Sequence, residues 1–339
     1  MQSVLPRLAL GLTLLLSSLI ARADTVWLDN GDQLSGNIIM LDSGTLLLQT
    51  THAGTVRIDS SKIKTLHSEQ KMRIRIERFG ATIIDRLQPG DDGYVSLASQ
   101  PQQQILIKDL HQALAERKTS LQRNLVWSGN ITLGADFKRR DSDSDDYDLD
   151  IDTRLRYGLW RHGLKLEYDY ETKDGDTKTD KLAAGYAIDR FFSERWFWKG
   201  KYEYDKARLE DLYRQTSYAT GPGFQFWDNE LGAFAGALLY THSQLYYHSD
   251  GKQSVNSSSL LLDYRRFIFA KTLELFGKGE FNLPASGDAN YMIDAEAGLR
   301  YRLNSWANLS LRVEWDRISN SQNENLNDRR YLLGVGVNW

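Results

Sequence analysis

The chain has 339 residues, no cysteine and 5 prolines, with 42 basic against 45 acidic side chains for a formal net charge of −3. Near-balanced charge argues against a nucleic-acid binder driven by bulk electrostatics, and the lack of cysteine excludes disulfides, thiolate metal sites and a cysteine nucleophile. By charged fraction, 26%, and mean hydropathy, −0.50, the composition is that of a water-soluble chain.

Arg7 precedes the apolar run Leu8–Ile20, and Ala21-Arg22-Ala23 follows it. A basic start, a short apolar stretch and an A-x-A site predict a secretory signal peptide over residues 1–23, cut after Ala23. No cysteine follows the site to carry a lipid anchor. No later stretch reaches the roughly 18 apolar residues of a spanning helix; the nearest, Leu231–Tyr240, has ten. The exported chain is therefore soluble, or it crosses a membrane as a closed β-barrel.

Residues 24–68 read as a first small β unit. Val26-Trp27-Leu28 runs into an Asn30-Gly31 turn, Asp42-Ser43-Gly44 turns before the strand Thr45–Thr50, and His52-Ala53-Gly54 turns before Val56-Arg57-Ile58. The pattern recurs over 69–108, with Arg73–Glu77, Gly80, Asp91-Asp92-Gly93, Tyr94–Leu97 and Ile105–Ile107 in the matching places. Two tandem SH3- or Sm-like units are expected. Asp109 as N-cap, with Leu110, Ala113, Leu114, Arg117 and Leu121 at helical spacing, predicts a linker helix over 109–123.

From residue 124 to 339 the alternation has period two. Twelve strands are predicted near 125–138, 148–159, 164–172, 181–189, 196–206, 216–226, 231–241, 257–266, 272–283, 291–303, 309–317 and 329–339. Gly221-Pro222-Gly223 predicts a bulge in the sixth. Apolar alternation fits either a soluble sandwich or a membrane barrel, and three features favour the barrel. Connectors alternate between short ones and longer polar ones, as periplasmic turns and outer loops do. Trp127, Trp160, Trp196, Trp227, Trp306 and Trp339 fall at strand ends on the short-turn side, where an interfacial girdle belongs. The last strand alternates Tyr331, Leu333, Val335, Val337 and Trp339, which resembles the terminal signal by which outer-membrane proteins are recognised for assembly. The expected fold is all-β: a 12-stranded antiparallel transmembrane barrel preceded by a small periplasmic β domain.

The inward face is charged with both signs and includes Arg154, Arg156, Glu167, Asp169, Lys199, Lys201, Glu296, Arg300, Arg312 and Glu314. A selective pore would favour one sign, so cross-strand pairing that fills a narrow lumen is the expected role. His242-Ser243 could suggest a membrane esterase, but neighbours on a strand point to opposite faces; His248-Ser249 lacks an evident third member. Asp141, Asp143 and Asp145 alternate like a calcium loop, without the glycine and distal glutamate of an EF-hand; a solvated acidic loop is the simpler reading.

Val26-Trp-Leu-Asp-Asn-Gly-Asp-Gln-Leu-Ser-Gly36 and His52-Ala-Gly-Thr-Val-Arg-Ile58 resemble the periplasmic segment of the salt-induced outer-membrane proteins, the YdiY-like family. The resemblance implies a following C-terminal barrel of unassigned function, and it supplies no catalytic residues. The N-terminal part is longer here than that family's usual single unit. The expected protein is a non-enzymatic outer-membrane barrel with an envelope or stress-related role and no cofactor. A passive small-solute channel is the alternative, and a membrane-embedded hydrolase a weaker one. Expected partners are outer-membrane lipid and lipopolysaccharide, the barrel-assembly machinery, and peptidoglycan or a protein in the periplasm, with no nucleic acid.

Overall fold

The computed structural model describes residues 23–76, 80–116, 125–139, 143–249, 251–285, 289–320 and 326–339. All of the expected signal peptide except Ala23 lies outside them, as does residue 141 of the acidic loop.

The N-terminal region contains β1 (Asp24–Leu28), β2 (Gln33–Asp42), β3 (Thr45–Thr50), β4 (Gly54–Asp59), β5 (Ile63–His67), β6 (Met72–Arg75), β7 (Ile83–Asp85), β8 (Leu87–Pro89), β9 (Tyr94–Leu97), β10 (Gln100–Leu106) and β11 (Gln112–Ala115). The turns form where the sequence puts them. Ser43 and Gly44 both take positive φ, 49° and 75°, as a two-residue hairpin loop requires.

Two expectations are corrected here. The segments 24–68 and 69–108 do not fold around separate cores. Val26, Ile38, Leu46, Leu48 and Leu66 share one buried cluster with Met72, Ile74, Leu87, Val95 and Ile107. The sheet order β4-β3-β2-β11-β6-β7 mixes strands of both segments, while β8, β9 and β10 form a smaller sheet. The expected linker helix is also absent over its described part. Residues 112–115 form strand β11, wedged between β2 and β6. Ala113 and Leu114 are both buried, so adjacent side chains on opposite faces each find a core, and cross-strand pairing overrides the helical spacing. Asp24 holds the two segments together: its carboxylate accepts from the Ile38 N–H at 2.6 Å and the Glu69 N–H at 2.8 Å.

The barrel consists of β12 (Val126–Arg139), β13 (Asp143–Tyr157), β14 (Trp160–Lys173), β15 (Asp176–Phe191), β16 (Trp196–Ala207), β17 (Leu212–Asn229), β18 (Gly232–Tyr247), β19 (Gly251–Ile268), β20 (Leu273–Pro284), β21 (Ala289–Arg302), β22 (Ala307–Asn320) and β23 (Leu326–Asn338). Each strand pairs antiparallel with the next, and β23 closes the ring on β12 through Leu133↔Val335 and Asn130↔Asn338. Beside that seam, Asn308 Nδ2 donates to the Asn130 and Asn338 side-chain oxygens.

The polar stretches expected as long loops are mostly strand. β18 runs to Tyr247 and β19 starts at Gly251, within the connector expected over 242–256. Outward positions there change from Leu238 and Tyr240 to His242 and Gln244. The apolar signal stops at that level, but the hydrogen-bond ladder does not, so polarity marked the edge of the apolar band rather than the end of the strand. The Gly221-Pro222-Gly223 segment carries no bulge either: its register with β16 is continuous, and the irregularities of β17 against β18 fall at Leu212/Arg214 and Gln225/Trp227. Both glycines face inward, where a Cβ on Gly223 would overlap the Phe197 ring.

Candidate functional site

The outward face of the barrel is apolar and uncovered. Leu133, Leu164, Tyr202, Tyr218, Leu238, Tyr240, Leu260, Phe281, Leu299, Leu309 and Leu311 are all exposed. Tyr331, Leu333, Val335, Val337 and Trp339 all project outward, with Leu333 at 74% exposure. The six tryptophans from Trp127 to Trp339 are exposed at the turn end, and Trp127 and Trp339 meet edge to face across the seam at 5.7 Å. Trp198 and Phe192, also exposed there, extend the belt. Monomeric soluble proteins rarely expose contiguous apolar area beyond a few hundred Å².

Inside, charged side chains from opposite walls meet directly. Arg154 on β13 lies 3.1 Å from Asp263 on β19, which stands across the ring. Lys278 on β20 reaches Asp152 on β13 at 2.8 Å, and Lys165 on β14 reaches Glu296 on β21 at 3.3 Å. Lys201 on β16 reaches Glu280 on β20 at 2.5 Å and its own strand's Glu203 at 2.7 Å. Toward the end away from the short turns, Arg312 bonds Asp150 at 2.8 Å and Glu314 at 3.1 Å, while Arg330 bonds Asp169 and Glu314, both at 2.7 Å. Glu167 takes Lys165 at 2.6 Å. Toward the turn end, Arg156 meets Asp228 at 3.1 Å, Lys199 meets Asp189 at 2.8 Å, and Arg300 meets Glu274 at 3.0 Å. All ten charged residues singled out from the sequence thus lie in this interior set.

Sequence reasoning missed Asp189, Asp228, Arg161 and Arg330. Carrying the inward parity of the strand expected at 164–172 three residues back would have found Arg161, whereas Asp228 faces inward only because the register shifts at Gln225/Trp227.

The wall of β17 to β19 is different in kind. Its inward residues include Ser217, Ala219, Ala235, Ala237, Leu239, Thr241, Ser257 and Ser259, all buried. Ala219, Ala235, Ala237 and Leu239 pack with Phe191 and Phe197, whose ring centroids are 5.1 Å apart. Small side chains on this wall leave room for two phenylalanines and for long cationic stems from opposite. Cavities of about 100 and 270 Å³ lie beside it, and Arg154, Asp263, Lys278 and Glu296 line both.

The N-terminal domain docks on the turn rim. Met40, Leu47 and Leu114 bury against Leu231 and Ala270, which sit in the β17–β18 and β19–β20 turns. Asp42 accepts from the Ala270 N–H at 3.2 Å, and Arg57 donates to the Ala270 carbonyl and to Thr272 Oγ1, both at 2.9 Å. The β19–β20 turn carries three consecutive non-glycine residues at positive φ, Phe269, Ala270 and Lys271. That conformation is strained, and the docked domain bonds to it at its centre.

The candidate catalytic and metal residues do not assemble. His242 faces outward and bonds Asn256 at 2.8 Å, while Ser243 faces inward and bonds Ser217 at 2.9 Å. Ser249 Oγ donates to Asp211 at 2.7 Å, but the His248 ring stacks on Tyr213 instead of lying between them. Asp143 and Asp145 fall on strand β13 rather than in a loop. Among the described residues no group of three or more His, Asp or Glu side chains is placed to hold a metal ion.

Residues 131–339 match the model of a family described as protein of unknown function, DUF481. The chain belongs to this family. The DUF481 match covers nearly all of the barrel and leaves the N-terminal domain outside it. No curated protein sequence matches the chain. The solved structures similar to it include the translocator domain of the autotransporter NalP from Neisseria meningitidis, 12% identical over 65% of this chain and 90% of that one, with a TM-score of 0.34. The β domain of the Bordetella autotransporter Brka is 13% identical over 63% and 97%, with a TM-score of 0.31. A porin is 9% identical over 64% and 100%, with a TM-score of 0.30. In the DUF481 chain described here, the interior network and the docked rim bring charged and polar residues distant in sequence together.

Proposed function

We propose that this protein is a non-enzymatic outer-membrane barrel whose lumen is closed and whose turn rim holds the N-terminal β domain in the periplasm. The contact between Arg154 and Asp263 carries the reading. A bond of 3.1 Å between opposite walls divides the lumen at that level, and the Lys278–Asp152 and Lys165–Glu296 pairs cross beside it. The uncovered apolar face suits acyl chains, the tryptophan belt suits the lipid–water boundary, and the outward row from Tyr331 to Trp339 suits recognition by the barrel-assembly machinery. Lipopolysaccharide would meet the polar strand extensions at the other end. The separation of His242 from Ser243 across the wall supports a non-enzymatic role. Kinship with the YdiY-like proteins rests on the Val26–Gly36 and His52–Ile58 segments, which lie in the docked domain.

Reconstitution in planar bilayers tests the closed lumen. The wild-type chain is expected to be electrically silent in molar salt, whereas replacing Arg154 and Asp263 together by glycine should produce discrete openings. Sustained steps from the wild type would reject the reading in favour of a small-solute channel, for which the 270 Å³ cavity would be the first candidate path. Turnover of ester or peptide substrates by the folded protein would reject the non-enzymatic part.

A further inference from the structure

The turn-side interior treats its arginines in two ways. Between β13 and β17 each guanidinium stacks on a phenylalanine and also holds a carboxylate. Arg156 lies 4.2 Å from the Phe191 centroid and 3.1 Å from Asp228, and Arg161 lies 4.9 Å from Phe197 and 2.6 Å from Asp189. Between β19 and β21 Arg300 repeats that arrangement, 4.8 Å from the Phe276 centroid and 3.0 Å from Glu274, but two other arginines have only half of it. Arg265 and Arg302 share one ring, Phe267, at 5.5 and 5.0 Å. The carboxylate beside them, Glu274, is taken by Arg300.

Neither the Arg265 nor the Arg302 side chain makes a hydrogen bond or ion pair among the described residues, and the Nε atoms of both are shut off from solvent. Both line the 100 Å³ cavity. Both side chains are half-buried, each faces neighbouring cations, Arg154 for Arg265 and Arg300 and Arg57 for Arg302, and each lacks the hydrogen bonds a guanidinium needs. An anion in the void removes both penalties.

We propose that Arg265 and Arg302 are the two arms of a site for a small oxyanion of the phosphate or sulfate class. A planar guanidinium presents a fork of N–H donors that matches two oxygens of such an ion, and Phe267 fixes the plane of each fork. The cavity has room for about three waters, at roughly 30 Å³ each, which suits a compact tetrahedral ion. The site lies at the docked rim. Arg302 ends β21, its N–H donates to the Thr272 carbonyl at 2.8 Å, and the same threonine's hydroxyl accepts from Arg57 of the N-terminal domain. An ion there would reach the barrel from the side on which the domain sits.

Equilibrium dialysis of radiolabelled inorganic phosphate against the full chain in detergent tests this, with folding verified by heat-modifiable migration. At low ionic strength the wild type is expected to bind roughly one phosphate per chain, displaced by sulfate but not by acetate. The R265Q/R302Q double variant should bind at least about tenfold more weakly, a difference of about 1.4 kcal/mol, with each single variant between. The R208Q variant, altered at an exposed arginine paired with Asp180, should bind like the wild type. Without phosphate the double variant should unfold at or above the wild-type temperature, because its repulsion is gone, and phosphate should no longer raise that temperature. The proposal is overturned by absent binding to the wild type at millimolar phosphate, by undiminished binding to the double variant, or by a double variant that misfolds or melts earlier without anion, since the protein itself would then be the partner of these arginines.

Discussion

Asp189 shows how tightly single residues are committed in this interior. Its buried carboxylate takes Arg161 Nε at 2.6 Å and Lys199 Nζ at 2.8 Å, and Arg161 extends to Gln225 at 2.7 Å. Removing one member of a buried ion group leaves the others desolvated and unpaired, at a cost of about 3–5 kcal/mol. Asp189→Asn is therefore expected to lower the urea midpoint of unfolding in lipid vesicles by that equivalent. Asp189→Asn combined with Lys199→Met, which removes one of the stranded cations, should recover part of the loss. A single variant as stable as the wild type would show that the two cations find water instead. The parity of Lys199 was legible in the sequence, but its partner was not: Asp189 ends a short apolar alternation and carries no mark of pairing with two cations.

At the scale of elements, the docked rim joins the sheet of the N-terminal domain to the two turns that follow β17 and β19. The turn at 269–271 is held in the left-handed region, which costs about 1–3 kcal/mol per residue, and Asp42 and Arg57 bond to its middle residue. Hydrogen exchange at the Ala270 amide reports on this contact directly. Asp42→Ala removes its charged acceptor, worth about 1.5–3 kcal/mol, so exchange there should quicken at least about tenfold while amides in mid-barrel strands stay unchanged. Unchanged exchange at Ala270 would mean that the domain is not held by this bond. Sequence reading could not reach the contact, because Arg57 and Ala270 are far apart in the chain and nothing in the segment around Arg57 points to the turn at Ala270. Strand β11 failed for a related reason: four residues buried on both faces offer no period of two to distinguish them from a helix.

For the whole molecule the controlling quantity is which solvent the outward face meets. Its apolar band narrows the choice to acyl chains or a protein partner covering the full circumference, and a ring of tryptophans at one end fits the former. Reconstituted in vesicles, the protein should show its strongest tryptophan quenching by lipids brominated near the headgroup and weaker quenching by lipids brominated at the chain end. Quenching that increases toward the chain end would displace the belt from the interface. The proposed closure of the lumen would likewise be a property of the whole ring, since no hairpin by itself contains a crossing pair.

Period-two alternation, the strand count and the tryptophan positions were determined by the sequence alone, because each depends only on neighbours along the chain and on the two-residue repeat of a strand. Which acid meets which base across the lumen, how far the polar strands run beyond the apolar band, and where the N-terminal domain rests were decided only in three dimensions. Those outcomes depend on curvature and on the diameter at which twelve strands close, and no local pattern of residues encodes a distance across a ring.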